Sequence, residues 1–99
     1  MQTFWITFRL KDNATYTQRY DDLVETVRTS ASKWWVEPSS FLVFASSETI
    51  DTIAARVKKV INTADDLVVI GMSDYKSARL VGNNEDADIF DLIPFMKRA

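Results

Sequence analysis

The sequence predicts an α+β domain in which one antiparallel sheet carries two helices on one of its faces. Residues 3–10 alternate between apolar and polar side chains as a strand does, and residues 65–72 form a short, mostly apolar run. Two other segments repeat apolar residues at three- and four-residue steps, as amphipathic helices do. We expect residues 1–99 to form one domain, with a core over 3–83 and a C-terminal extension over 84–99.

The first strand and the first helix are separated by a change of period. One face of the strand carries Phe4, Ile6, Phe8 and Leu10, and the other carries Trp5, Thr7 and Arg9. Turn-forming residues follow, and residues 15–31 then repeat at helical spacing, with Asn13 or Thr15 as the predicted N-cap. The predicted solvent side of this helix carries Arg19, Asp21, Asp22 and Arg28.

Two β-rich runs, "KWWVE" (33–37) and "SFLVFAS" (40–46), are separated by a loop that begins at Pro38 and predict a hairpin. Ser47 is the predicted N-cap of the second helix. The apolar stripe of that helix is Ile50, Ile53, Ala54, Val57, Val60 and Ile61. After the strand at 65–72, "ARLVGN" is a candidate for one more short strand, and residues 86–99 form an apolar-rich tail.

The order is therefore βαββαβ with a C-terminal addition. Right-handed crossovers turn this order into a ferredoxin-like arrangement, with the first and third strands central and the strand of Trp34 and Trp35 at an edge. Both helices then lie on one face, and the other face is left uncovered by them.

The uncovered face is predicted to be unusually aromatic. Alternation places Trp5 on this face. It also places one of Trp34 and Trp35 there and the other in the core. The second strand of the hairpin contributes either Phe41 and Val43 or Leu42 and Phe44. Three coverings are open: the chain's own tail, a second copy of the chain, or a ligand or nucleic acid that stacks on the aromatic rings. We favour a homodimer. The expected interface residues are Trp5, Trp34, Trp35, Phe90 and Phe95.

Composition excludes several classes of function. The chain has no histidine and no cysteine, which excludes histidine-based nucleophilic triads, disulfides and ordinary zinc sites. Its net charge of −2 provides no whole-chain attraction for nucleic acid. No apolar run is long enough to span a membrane and no signal segment is evident, so we expect no membrane partner and a cytoplasmic location.

Three stretches carry a family resemblance: "FWITFRL" (4–10), "WWVEPSSFLVF" (34–44) and "ETIDTIAARVKKVINTADDLVVIGM" (48–72). Over residues 3–83 the chain resembles the small CRISPR-adaptation subunit Cas-two, and more closely the SinR-like proteins of that superfamily. The resemblance implies a ferredoxin-like protomer that dimerises, with C-terminal segments exchanging contacts across the interface.

The resemblance also bears on catalysis. In the wider family an aspartate at the end of the first strand is linked to metal-dependent cleavage of nucleic acid, and the matching position here is Arg9. Because arginine cannot ligand a divalent cation, we lean towards a protein that is not an enzyme and that needs no cofactor. Asp12, in the following turn, is the one catalytic candidate left, and magnesium or manganese would be required only if it acts.

No other carboxylates predict a metal site. Asp21 and Asp22 read as a solvated helix surface, and Asp65 and Asp66 read as turn residues. The cluster of Glu85, Asp86 and Asp88 lacks the spacing of a calcium loop.

The first hypothesis is therefore a homodimeric, non-catalytic structural or nucleic-acid-associated component of the Cas-two/SinR-like type. Its candidate nucleic-acid contacts are Arg9, Lys11, Tyr75, Lys76 and Arg79. The alternatives are a metal-dependent endoribonuclease of the same superfamily and a regulatory dimer that binds a small ligand.

Overall fold

A computed structural model describes all 99 residues and shows an α+β fold, with one six-stranded mixed sheet and three helices. The elements are β1 (Gln2–Arg9), α1 (Tyr16–Ser30), β2 (Lys33–Trp35), β3 (Phe41–Ser46), α2 (Ile50–Val60), β4 (Leu67–Met72), β5 (Ala78–Gly82), α3 (Asp88–Leu92) and β6 (Met96–Arg98). None of the helices has the length and apolar character needed to cross a membrane.

The strands lie in the order β2-β3-β1-β4-β5-β6. β1 pairs antiparallel with β3 on one side and with β4 on the other, and β2 pairs only with β3. The predictions that the first and third strands are internal and that the tryptophan-bearing strand is at an edge are confirmed.

The expectation of a wholly antiparallel sheet is wrong for the last strand, because β6 pairs with β5 in parallel. The connection between these two strands includes α3, which gives the chain the length that a parallel crossover requires. The predicted tail is thus a helix followed by a strand that extends the sheet beyond β5.

The main core lies between the sheet and the two long helices. The sheet and the loop after β1 supply Phe4, Ile6, Leu10, Leu42, Phe44, Val68, Ile70 and Val81; the helices and their ends supply Leu23, Val27, Ile50, Ile53, Ala54, Val57 and Ile61. Phe4 and Phe44 stack with ring centroids 5.5 Å apart. Each large side chain buried here contributes about 1.5–3 kcal/mol to the free energy of unfolding.

The ends of two elements differ from the prediction. The N-cap of α2 is Thr49, not Ser47, and its side chain accepts a hydrogen bond from the backbone N of Thr52 at 3.1 Å. β2 ends at Trp35 instead of residue 37, since Pro38 has no N–H and restricts the residue before it.

Arg19 was expected on the solvent side of α1 and is instead buried, with 8% of its surface exposed. Its Nη1 lies 2.6 Å from both carboxylate oxygens of Asp66, which is fully buried. Asp66 also accepts hydrogen bonds from the backbone N of Lys11 and of Asn62, and Arg19 donates its other bonds to Thr15, Asn13 and the Lys11 carbonyl. The two buried charges are therefore compensated by each other and by partners in the loop after β1 and in the loop before β4, which meet at one end of the β1–β4 pair.

The C-terminal segment covers one part of the sheet face that lies opposite α1 and α2, which we call the open face. There Ala78, Leu80 and Met96 form a second buried cluster. The half-buried side chains around that cluster are Leu67, Val69, Ile89, Phe90, Ile93 and Phe95. The tail therefore covers β4 and β5 with apolar side chains. For this part of the open face, it is the first of the three coverings that the sequence left open.

Candidate interaction surface

One row of residues crosses the open face from edge to edge. Strand pairing puts Trp35 opposite Val43, Val43 opposite Trp5, and Trp5 opposite Gly71, after which Ala78 continues the row on β5. Since residues directly opposite each other share a face, Phe41 and Val43 are the open-face pair of β3, and Leu42 and Phe44 belong to the core.

Trp5 is half-buried because its indole lies across Gly71. A Cβ atom added to Gly71 would lie 2.1 Å from Cζ2 of Trp5 and 2.3 Å from Cε2. The absence of a side chain at position 71 thus creates the space that the ring occupies. Part of the covering of Trp5 is therefore β4, the neighbouring strand of its own sheet.

Trp34 and Trp35 are both exposed, so the expectation that one of them is in the core is wrong. Trp34 pairs with Phe44 and lies on the helix side, yet 39% of it is exposed, and Trp35 on the open face is 48% exposed. The reason is that β2 is a three-residue edge strand with no neighbour on its outer side. Val36, which follows β2, is 39% exposed as well, and we call Trp34, Trp35 and Val36 the aromatic edge.

The aromatic edge borders a shallow groove of about 310 Å³ on the β2–β3 side of the sheet. The groove is lined by Thr3, Lys33, Trp34, Trp35, Val43, Phe44 and Ala45. The ring of Trp35 also meets Phe41 edge-on, with centroids 6.4 Å apart. Large apolar groups that are continuous on a surface indicate a contact with another molecule.

The five predicted interface residues fall into two groups. Trp5, Trp34 and Trp35 lie on the β2–β3–β1 part of the sheet, whereas Phe90 and Phe95 pack with the second cluster beside β5 and β6. The guanidinium carbon of Arg98 lies 5.0 Å from the ring centroid of Phe90. Phe90 and Phe95 are therefore engaged within the chain, and the aromatic edge is the part that is left open.

The predicted nucleic-acid contacts are spread over two ends of the sheet. Arg9 ends β1 and Lys11 follows it, whereas Tyr75 and Lys76 lie in the β4–β5 loop at the opposite end, about 20 Å away for strands of this length. Arg79 occupies the helix side of β5, where its Nε lies 2.7 Å from Oδ1 of Asp51. The hydrogen bond from Arg79 lowers the pKa of Asp51, and the charge of Arg79 acts in the same direction.

Carboxylates do not converge into a metal centre. No group of three or more potential metal-ligating side chains is brought together anywhere in the chain. Asp12 is exposed in the turn after β1, and Asp65 is partly exposed and faces Lys11 at 3.8 Å. Asp66, the carboxylate that bonds to the backbone beside Asp12, already has both oxygens engaged by Arg19 and by backbone N–H groups.

A polar groove of about 540 Å³ runs between α1 and α2, and it was not predicted. Arg56 lies in it, with its Nη1 2.6 Å from Oε1 of Glu48 and 3.1 Å from Oγ of Ser30. Oε2 of Glu48 is buried without a hydrogen-bond partner. The groove is also lined by Lys59, so it carries two cations and one carboxylate.

The sequence interpretation missed two exposed charges beside the aromatic edge. Lys33 and Glu37 flank Trp34, Trp35 and Val36, and neither forms an ion pair within the chain. The signal that marks them is their symmetry about Trp35, with opposite charges two residues to either side.

Comparison with known proteins does not assign the chain to a family. No protein-family model matches the chain, and no curated protein matches it.

Proposed function

We propose that the protein is a homodimeric structural or binding component of the Cas-two/SinR-like type, without nuclease chemistry of its own. The observation that carries this proposal is the aromatic edge. Trp34, Trp35 and Val36 are each more than a third exposed, although the tail already covers the apolar surface of β4 and β5. Aromatic side chains are enriched in the cores of protein interfaces, which supports a second chain as the covering.

The strand order supports a ferredoxin-like fold as part of this proposal. The order β2-β3-β1-β4, with α1 and α2 packed on one face, is the one expected for a βαββαβ domain. In this interpretation β5 is one further strand within the core over 3–83, and α3 and β6 form the C-terminal extension. The family resemblance implies that such segments exchange contacts between protomers, whereas here they pack on the sheet of their own chain.

The non-catalytic part of the proposal rests on the end of β1. Arg9 occupies the position where the family's metal-linked aspartate is expected, and its cation would repel Mg²⁺ or Mn²⁺. The nearby carboxylate of Asp66 is held by Arg19, and the exposed Asp12 belongs to no group of three or more potential metal-ligating side chains.

Light scattering on the purified chain tests the dimer. At micromolar concentration we expect twice the mass of one chain, and we expect Trp35→Ser to shift the protein to monomer because it removes the ring at the centre of the aromatic edge. Leu92→Ser is the matched control, since Leu92 is an apolar residue of α3 with 78% exposure outside that edge. A wild-type protein that is monomeric under these conditions would contradict the proposal.

Nuclease assays test the second part of the proposal, which is that the protein does not cleave nucleic acid. Incubation with RNA and with DNA, in magnesium and in manganese, is expected to leave both intact. Cleavage that disappears in Asp12→Ala would replace this proposal with the endoribonuclease alternative. Binding of the same nucleic acids is measured in parallel, with Arg9→Ala and Lys76→Ala representing the two ends of the sheet.

A further inference from the structure

The outer edge of β2 has no partner strand. β2 lies at the end of the sheet, and its pairing with β3 uses one of its two sides. The backbone N–H and C=O groups on the other side are free to bond to another strand. The opposite edge of the sheet is β6 (Met96–Arg98), which is also three residues long and carries two charged residues.

The segment at this edge is self-complementary when it is read in the antiparallel direction. Residues 33–37 read Lys-Trp-Trp-Val-Glu, with Trp35 at the centre. If two copies pair antiparallel about Trp35, then Lys33 lies opposite Glu37 of the second copy, and Trp34 lies opposite its Val36. A two-fold axis then generates each of these contacts twice.

The charges select one register. If the second copy is shifted by one residue in either direction, Lys33 no longer lies opposite Glu37. It then lies opposite Val36 for one shift and opposite Pro38 for the other. Pro38 has no backbone donor, so the pairing segment also ends there. Opposite charges directly across a strand pair stabilise it, and like charges in those positions destabilise it.

The alternation of the strand is compatible with this register. Lys33 and Trp35 pair with Ala45 and Val43 and therefore lie on the open face. Because β2 ends at Trp35, this register requires Val36 and Glu37 to extend the strand when the second copy binds, and alternation would then place Glu37 on the open face too. Two Trp35 rings would then meet at the axis on the open face, and Trp34 would meet Val36 on the helix side.

We propose that two copies of the chain join through the outer edges of β2, in the antiparallel register that pairs Lys33 of each copy with Glu37 of the other. This rests on the proposed homodimer and states its geometry. The two sheets become one continuous sheet, since a two-fold axis perpendicular to the sheet keeps both open faces on the same side. Trp5, Phe41 and Val43 of both copies then line one surface.

Short edges with terminal charges also occur in proteins that avoid edge pairing. β2 is short, but the three positions between the charges are all apolar and exposed, and none of them carries a charge or a proline, which are common means of protecting an edge. Lys33 and Glu37 are exposed and form no ion pair in their own chain, so both charges are free to pair with those of a second copy.

Charge reversal tests the register. We expect Lys33→Glu alone and Glu37→Lys alone each to weaken dimerisation by about tenfold or more, because each places two like-charged pairs at the axis. An equimolar mixture of the two variants is expected to form a heterodimer, in which both pairs are again opposite in charge. The chain that carries both changes is expected to dimerise as the wild type does.

Native mass spectrometry distinguishes the heterodimer, and light scattering gives the dissociation constants. Glu85→Lys is the control, since Glu85 is an exposed charge in the extension beyond β5. If both single variants dimerise as the wild type does, then the edge register is wrong while the homodimer stands. If the wild type is monomeric, then both the proposed homodimer and this pairing of β2 edges are wrong.

Discussion

Arg19 and Asp66 are joined by a buried ion pair in which one guanidinium nitrogen lies 2.6 Å from each carboxylate oxygen. Asp66 is fully buried and makes two further bonds to backbone N–H groups, so the pair ties α1 to the loop after β1 and to the start of β4. The carbonyl of Asp66 also accepts a bond from the backbone N of Asn83 at 2.7 Å. Asp66 is therefore the point where four segments of the chain meet.

Replacing Asp66 is expected to destabilise the fold strongly. Asp66→Asn leaves the Arg19 cation buried without a countercharge, which costs about 3–5 kcal/mol of the free energy of unfolding. Urea unfolding followed by circular dichroism measures the loss. Asp65→Asn is the control, since Asp65 is partly exposed and the same change there is expected to cost no more than about 0.5 kcal/mol. Equal losses for the two variants would show that the ion pair is not the cause.

Gly71 and Trp5 are expected to be energetically coupled. Gly71→Ala places a methyl group where the indole lies, and overpacking of this kind costs about 1–3 kcal/mol. In a Trp5→Ala background the same methyl group has room, so Gly71→Ala is expected to cost much less there. A double-mutant cycle from urea unfolding measures the coupling, and two additive changes would contradict the packing of the ring on Gly71.

The tail is expected to contribute to stability through Met96. Met96 is 5% exposed and packs with Ala78 and Leu80, so Met96→Ala is expected to cost about 2–5 kcal/mol. Leu92→Ala in the same segment is the control, because Leu92 is 78% exposed and its loss is expected to cost less than about 0.5 kcal/mol. Increased binding of a hydrophobic dye by Met96→Ala alone would report the uncovered face of β4 and β5.

Stability is expected to fall in acid partly through Asp51. The hydrogen bond from Arg79 lowers the pKa of Asp51 in the folded chain below its ordinary value of 3.8. The stabilisation is therefore fully present above that value and is lost as the pH falls below it through the lowered folded pKa. Urea unfolding of wild type and Asp51→Asn between pH 7 and pH 2 tests this.

In that series the stability difference between the two chains is expected to shrink below pH 3.8. A difference that stays constant over the whole range would mean that the Asp51–Arg79 contact is absent in solution. The effect is expected to be small and to weaken in high salt, because Asp51 is largely exposed.

The sequence predicted the strands and helices well where a period was strong. Alternation assigned Phe4 and Ile6 to the core, and the helical stripe did the same for Ile53 and Val57, as found. It did not identify Arg19 as buried, because a charged residue is read as solvated until a partner is known, and that partner is 47 residues away in the sequence. The tail lacked a clear period, so its helix and its parallel strand were not predicted.

What the sequence determined by itself is the elements with a strong period, above all β1 and the two long helices, and the apolar face of each, since periods of 2 and 3.6 residues are local properties of the chain. Only the tertiary structure decided which faces are covered. It placed Trp5 on Gly71, placed the tail on β4 and β5, and left Trp34 and Trp35 exposed on an edge strand. The physical reason is that burial depends on neighbours brought together from distant parts of the chain, and local periodicity contains no information about them.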